Sequence, residues 1–153
     1  MTYKEINGDL FTAGSKPLYV HCISADFELG AGIAAEFARR GVKAELRSIY
    51  PMNVWEGVGY GLPASMMGGC RVYNLVTKAK CYDKPTLATL QDALDSLKIY
   101  VMQNYVTEIV MPKIGCGLDK LNWSDVSLRI FDTFTDIDVN ITVYKKEQQH
   151  ENN

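Results

Sequence analysis

The chain has 153 residues, 47% of them hydrophobic and 22% charged, with a formal net charge of −2. That is an ordinary globular composition, long enough for one domain to bury roughly two-thirds of its unfolded surface. The surplus of Lys and Arg that phosphate neutralisation demands of a general nucleic-acid binder is missing, and no stretch approaches the roughly 20 apolar residues of a membrane-spanning helix.

In chain order, a first strand is expected over residues 3–6, ending at Asn7-Gly8-Asp9. The apolar run from Leu18 to Ile23 reads as a buried strand. A loop and a helix over residues 33–40 follow, with arginines in the last turn and Gly41 just beyond, a usual helix end. Residues 44–49 add further helical turns before Pro51. Gly57, Gly59 and Gly61 mark residues 51–62 as a loop, anchored by Trp55 and Tyr60. Residues 64–67, the pair Gly68-Gly69 and residues 70–76 read as a hairpin, because two glycines suit a tight turn. Leu87, Leu90, Leu94, Leu97 and Val101 recur at spacings of three and four, the stripe of an amphipathic helix with Pro85 near its start. A strand at 107–112, a helix at 123–134 entered through Asn122, and a last strand at 139–144 complete the pattern.

Strands alternating with helices predict an α/β domain with a mixed, mainly parallel sheet between helical layers. One domain over residues 1–145 is expected, with a polar tail at 146–153. Met1-Thr2-Tyr3-Lys4-Glu5 lacks the apolar core of a signal peptide, so a cytoplasmic protein without membrane contact is expected. Cys22, Cys70, Cys81 and Cys116 form no metal-ligand spacing with the two histidines, so reduced thiols are expected, with no metal and no cofactor. Nothing in the chain demands more than a monomer.

Two loops at the carboxyl edge of such a sheet are rich in glycine: Gly30-Ala31-Gly32-Ile33-Ala34, and Ile114-Gly115-Cys116-Gly117-Leu118-Asp119. Glycine lets backbone approach a ligand, and helix-start N–H groups attract phosphate. Either loop alone would merely make a turn; two on one edge point to a phosphate-and-sugar cleft. Neither has the Walker pattern. The first, read through Ala35, satisfies the looser GxGxxA dinucleotide pattern, but residues 24–29 separate it from its strand. The acidic residue about twenty positions on, Glu56, lies in a glycine loop instead of at a strand end, which argues against a Rossmann dehydrogenase.

The chain resembles macrodomains, and among them the branch of the terminal ADP-ribose protein glycohydrolase. The resemblance is carried by Gly8-Asp9-Leu10-Phe11, His21-Cys22-Ile23-Ser24, Gly30-Ala31-Gly32-Ile33-Ala34, Leu75-Val76-Thr77-Lys78 and Lys84-Pro85-Thr86. It continues through Met111-Pro112-Lys113-Ile114-Gly115-Cys116-Gly117-Leu118-Asp119, Leu121-Asn122-Trp123 and Ile141-Thr142-Val143-Tyr144, in order over nearly the whole chain. It implies a three-layer α/β/α sandwich that binds ADP-ribose. It also implies removal of ADP-ribose from Glu and Asp side chains, with Lys78 as nucleophile and Asp119 as its partner. On position alone Lys78 would be a solvated strand end.

The resemblance implies further roles. Asp9 would accept from the adenine amino group, although an aspartate there equally caps the turn into Leu10-Phe11. The segment Gly30, Gly32 and Ile33 would wrap the distal ribose, and Ile114, Gly115, Cys116, Gly117 and Leu118 would hold the diphosphate through backbone N–H groups. Ser24 and Tyr144 would line the nucleoside end, Tyr144 being otherwise only the end of a buried strand. Leu10 and His21 are also placed at the ligand, although nothing beside His21 forms a base–nucleophile pair and its ring is expected to be satisfied within the fold. The ester's leaving group is a carboxylate of pKa about 4, which needs little acid assistance. A lysine nucleophile must be neutral, whereas an ionised Asp119 favours its charged form. Either the cleft desolvates the pair, or Asp119 takes the proton as reaction proceeds. Small esters and phosphates of ADP-ribose (O-acetyl-ADP-ribose, ADP-ribose-1″-phosphate), ADP-ribosylated DNA, and a non-catalytic ADP-ribose reader are the alternatives. Leu87 stands where an aromatic residue commonly follows Lys-Pro-Thr, Asn74 replaces an apolar or aromatic residue, and residues 51–62 do not match the family.

Overall fold

A computed structural model describes residues 1–116 and 120–146. Its elements run β1 (Thr2–Asn7), a short 3-10 turn (Leu10–Thr12), β2 (Leu18–Ser24), α1 (Gly32–Arg39), α2 (Val42–Ile49), β3 (Tyr60–Met66), β4 (Cys70–Lys78), α3 (Leu87–Gln103), β5 (Glu108–Pro112), α4 (Trp123–Phe134) and β6 (Asn140–Lys145). Six strands form one sheet in the order β1-β6-β5-β2-β4-β3. β3 runs antiparallel to β4, and every other pairing among the described residues is parallel.

Alternation along the strands sends side chains to opposite faces. Leu18 and Val20 of β2, Leu75 of β4, Met111 of β5 and Val143 of β6 point to one face. There they meet Leu90, Leu94, Leu97 and Val101 of α3 and Val126, Ile130 and Phe134 of α4. Tyr19, Ile23, Val72, Val76 and Val110 point to the other face, against Phe37 of α1 and Val42 and Leu46 of α2. The result is the three-layer α/β/α sandwich expected. The leucine stripe of α3 is the buried stripe, with Leu90, Leu94 and Leu97 each at 0% exposure. Truncating one to Ala in such a place costs about 2–5 kcal/mol.

The helix starts also follow from local chemistry. The Thr86 side chain accepts from the Thr89 N–H at 3.0 Å, and Thr89 Oγ1 accepts from the Thr86 N–H at 3.1 Å, a reciprocal cap for α3. The Asn122 side chain accepts from the N–H groups of Ser124 and Asp125 at the start of α4.

One region differs from expectation. β3 begins at Tyr60, inside the stretch 51–62 read as a loop. A Cβ on Gly61 would lie 2.1 Å from the Tyr73 ring, and one on Gly59 would lie 2.0 Å from the Thr89 carbonyl oxygen. These glycines serve close approach of a strand to its neighbours, not loop freedom. Trp55 and Tyr60 do act as anchors, with ring centroids 6.5 Å apart and the Tyr60 hydroxyl donating to the Val54 carbonyl at 2.6 Å. α2 starts at Val42, two residues before the expected Ala44. Among the described residues no helix is long and apolar enough to cross a membrane.

Candidate active site

Because β1, β6, β5, β2 and β4 are parallel, their carboxyl ends share one edge, and the strand order fixes the order of side chains along it. Asp9 follows β1, Tyr144 is near the end of β6, Ile114 to Cys116 follow β5, Ser24 ends β2 and Lys78 ends β4. Neighbouring strands are about 4.8 Å apart, so the four steps from β1 to β4 span roughly 19 Å. A cleft of about 1050 Å³ lies over this edge and is lined at all five points.

The first glycine loop lies against the middle of the cleft, where Gly30, Ala31, Gly32, Ile33 and Ala34 all line it. No side chain caps α1 at Ala31, and the first-turn residues Gly32, Ile33 and Ala34 line the cleft, where uncapped N–H groups suit an anion. Two residues before the loop hold left-handed backbone, Phe27 at φ 53° and Leu29 at φ 43°. Such strain costs on the order of 1–3 kcal/mol each and persists only where packing enforces it. Here both side chains are buried, at 0% and 5% exposure.

The second loop turns at Gly115, whose φ is 74°. Its carbonyl accepts from the Leu121 N–H at 2.7 Å, closing the loop across its base. Trp123 then ties the loop's exit to β1, donating from Nε1 to Glu5 Oε2 at 3.0 Å, and Lys113 Nζ lies 5.8 Å from the Trp123 ring centroid. Glu5 is held below the usual carboxylate range, first by the hydrogen bond from the Tyr3 hydroxyl and then by Trp123 and Lys145. Gly117, Leu118 and Asp119 lie outside the described residues.

Lys78 lines the cleft, and its Nζ donates to the Cys81 carbonyl at 3.1 Å. It stands opposite Ser24 in the β2–β4 register. Asp26 joins the two strand ends. Its Oδ1 accepts from Ser24 Oγ at 2.6 Å and from the Glu28 N–H at 3.2 Å, and its Oδ2 accepts from the Cys81 N–H at 2.9 Å. Burial opposes ionisation of Asp26, but the Ser24, Cys81 and Glu28 donors together with Lys80 outweigh it and hold the carboxyl below its ordinary range. One carboxylate thus fastens the turn that positions Lys78 to the loop that leads into Gly30.

Similarity to known proteins covers nearly the whole chain. No family model matches the chain. The chain is 39% identical over 140 residues to human (Homo sapiens) ADP-ribose glycohydrolase OARD1, covering 91% of this chain and 88% of that protein. It belongs to the macrodomains of the terminal ADP-ribose glycohydrolase branch, a family of hydrolases. The fold agrees with solved structures. The macrodomain of Thermus aquaticus DarG superposes with a TM-score of 0.74 at 22% identity, over 94% of this chain and 97% of that one. Thermosipho africanus DarTG in complex with ADP-ribose superposes with a TM-score of 0.70 at 15% identity, over 92% of this chain and 40% of that one.

Within the macrodomain, the residues expected at the ligand separate into three sets. Asp9, Leu10, Gly30, Gly32, Ile33, Ile114, Gly115, Cys116 and Tyr144 line the cleft with Lys78. Ser24 lines it too, but at the Lys78 end and not beside Tyr144, with which it was expected to line one end, because β5 lies between β6 and β2. His21 does not line it, and this corrects its expected place at the ligand. Its ring is at 0% exposure, stacked 3.8 Å from Phe37 of α1. The amide nitrogen of Asn74 donates to the Leu62 carbonyl, so Asn74 Oδ1 is the acceptor and His21 Nε2 is the donor across 2.6 Å. Nδ1 then carries a lone pair with no hydrogen-bond partner among the described residues. Burial depresses the His21 pKa to about 4, against a smaller opposing effect of Asn74. The departure at Asn74 is thereby explained: it holds the histidine and the backbone of β3.

Asp9 does cap its turn, accepting from the Phe11 N–H through Oδ1 at 3.0 Å. Its Oδ2 has no partner among the described residues, so capping and ligand contact are compatible. The sequence reading missed Asp26, Glu36 and Arg40. The Asp26 contacts to Ser24 and Glu28, two positions away, signal only a turn. The Cys81 contact that ties it to the Lys78 end lies 55 positions away. Glu36 and Arg40 stand four apart on a helix, a spacing that announces an ion pair but not a cleft.

Proposed function

We propose that this macrodomain removes ADP-ribose from glutamate and aspartate side chains of proteins, with Lys78 as the nucleophile. The observation that carries the reading is Lys78 itself, an amine at the end of β4 that lines the same cleft as both glycine loops. The relative named as an ADP-ribose glycohydrolase supports the reaction class. The linear order of the edge supports the substrate: adenosine over Asp9 and Tyr144, diphosphate over the Ile114–Cys116 turn and the start of α1, and distal ribose between the first loop and Lys78.

In this mechanism the Lys78 amine attacks the anomeric carbon of the distal ribose. A carbon–nitrogen bond forms, the carbon–oxygen bond to the protein carboxylate breaks, and the carboxylate leaves with the electron pair. It needs no proton to depart, because its conjugate acid has a pKa of about 4. The Cys81 carbonyl orients Nζ by accepting a hydrogen bond but cannot take its proton. Asp119 is proposed for that transfer. Water then forms a carbon–oxygen bond to the same carbon as the carbon–nitrogen bond breaks. Asp119 returns its proton to the departing Lys78 nitrogen and takes one from the water, and free ADP-ribose is released.

The test uses a peptide carrying ADP-ribose on glutamate, with release of free ADP-ribose followed over time and ADP-ribose binding measured by calorimetry. Release by the wild type, abolished in Lys78→Ala with binding kept, is the expected result. Tight binding without release would overturn the protein-glycohydrolase reading and leave small esters, ADP-ribosylated DNA or a reader role.

A further inference from the structure

The nucleoside end of the cleft contains a charged group that the family motifs do not include. Arg40 follows the last residue of α1, and its guanidinium carbon lies 3.8 Å from the centroid of the Phe11 ring. Glu36 holds it there: Arg40 Nη1 donates to Glu36 Oε1 at 3.0 Å and to the Glu36 carbonyl at 3.1 Å. Beneath the guanidinium, the Phe11 ring lies nearly parallel to Tyr19, centroids 6.2 Å apart, and edge-on to Phe37 at 5.0 Å. The column is therefore built from the core outwards and ends in a flat cation. Arg40, Glu36, Phe11 and Asp9 all line the cleft, and the Arg40 side chain is 34% exposed.

We propose that Arg40 is a further binding residue whose guanidinium plane stacks on the nucleobase, lying between the base and Phe11. This rests on the reading of the cleft as an ADP-ribose site. A guanidinium is planar and weakly hydrated, and it stacks on aromatic faces as an ammonium does not. Phe11 cannot meet the base directly, because Arg40 covers it. Every base has a face, so stacking supplies affinity without choosing the base. The choice falls to Asp9, whose uncommitted Oδ2 accepts from an amino group. A phosphate contact by Arg40 is disfavoured by position. The diphosphate belongs at the start of α1, and the eight residues of that helix separate its first turn from Arg40 by about 12 Å.

The experiment titrates wild type, Arg40→Ala and Arg40→Lys with ADP-ribose by calorimetry at low and at high salt, with melting temperatures as a check of folding. Arg40→Ala is expected to weaken binding about tenfold by the same factor at both salt concentrations, and Arg40→Lys is expected not to restore it. A loss that shrinks at high salt, or that lysine repairs, would identify a phosphate or simple charge contact and overturn the stacking role. Equal binding by wild type and Arg40→Ala would overturn this proposal alone. No binding by the wild type would overturn it together with the ADP-ribose reading.

Discussion

The two ends of the cleft are built by different physics. At the Lys78 end, one ionised carboxylate gathers three donors, from Ser24, Glu28 and Cys81, and so joins β2, its following loop and the turn after β4. At the Asp9 end, Phe11 lines the cleft, packed parallel to Tyr19 and edge-on to Phe37 of the core, with Arg40 laid over it. Ring packing is insensitive to pH and salt, whereas a carboxylate network depends on both. The end where bonds would change is the end whose geometry depends on charge, and the end that would recognise the base is an outgrowth of the core.

Acid should act first on what both ends share. His21 lies under α1, the helix whose start lines the proposed diphosphate region and whose end is followed by Arg40. A histidine with a folded pKa of about 4 and an unfolded one near 6.5 binds fewer protons folded than unfolded between those values. Stability therefore falls as pH is lowered from about 6.5 towards 4, and a difference of that size is worth about 3 kcal/mol. Denaturant melts across this range should show the fall, and it should shrink in His21→Gln. An equal slope in the variant would assign the acid sensitivity to other groups.

Asp26→Asn should separate the two ends. The amide cannot accept from three donors as an ionised carboxylate does, so the Lys78 turn loosens. Turnover on the ester substrate is expected to fall about a hundredfold, as small misplacements of a reacting group do, with ADP-ribose affinity nearly unchanged. A matching loss of affinity would show that Asp26 supports the whole cleft. Asp26 has a lowered folded pKa, so its stabilising contribution is present above its unfolded value of about 3.9 and is lost as pH falls through the folded one. Turnover measured on the acid side should decline before binding does.

The smallest effect belongs to the other end. Phe11→Leu keeps an apolar residue but removes the ring beneath Arg40. Affinity for ADP-ribose should drop about two- to tenfold, the range of a lost aromatic contact, while turnover at saturating substrate stays the same. A fall in saturated turnover would break the division of labour between the two ends.

Much of this was legible along the chain because it is local or periodic. The α3 stripe, the Asn122 cap, the Gly68-Gly69 turn and the α/β alternation are each written within a few neighbouring residues, and the structure contains them all. The paired glycine loops and Lys78 at a strand end were readable for the same reason, since each follows an apolar run. The strand order was not: β1 pairs with β6 and β2 with β4, and from that order alone Ser24 comes to face Lys78 instead of Tyr144. Gly59 and Gly61 read as loop residues because their crowding comes from Thr89 and Tyr73, which only the folded sheet brings near. His21, Asp26 and Arg40 took their roles from Asn74, Cys81 and Phe11, partners that no short spacing connects to them. The sequence by itself determined the elements, their faces and the motif residues, because propensity and periodicity act over a few residues. Tertiary structure decided which side chains share an end of the cleft, because hydrogen bonds and ring contacts across strands depend on pairing and register.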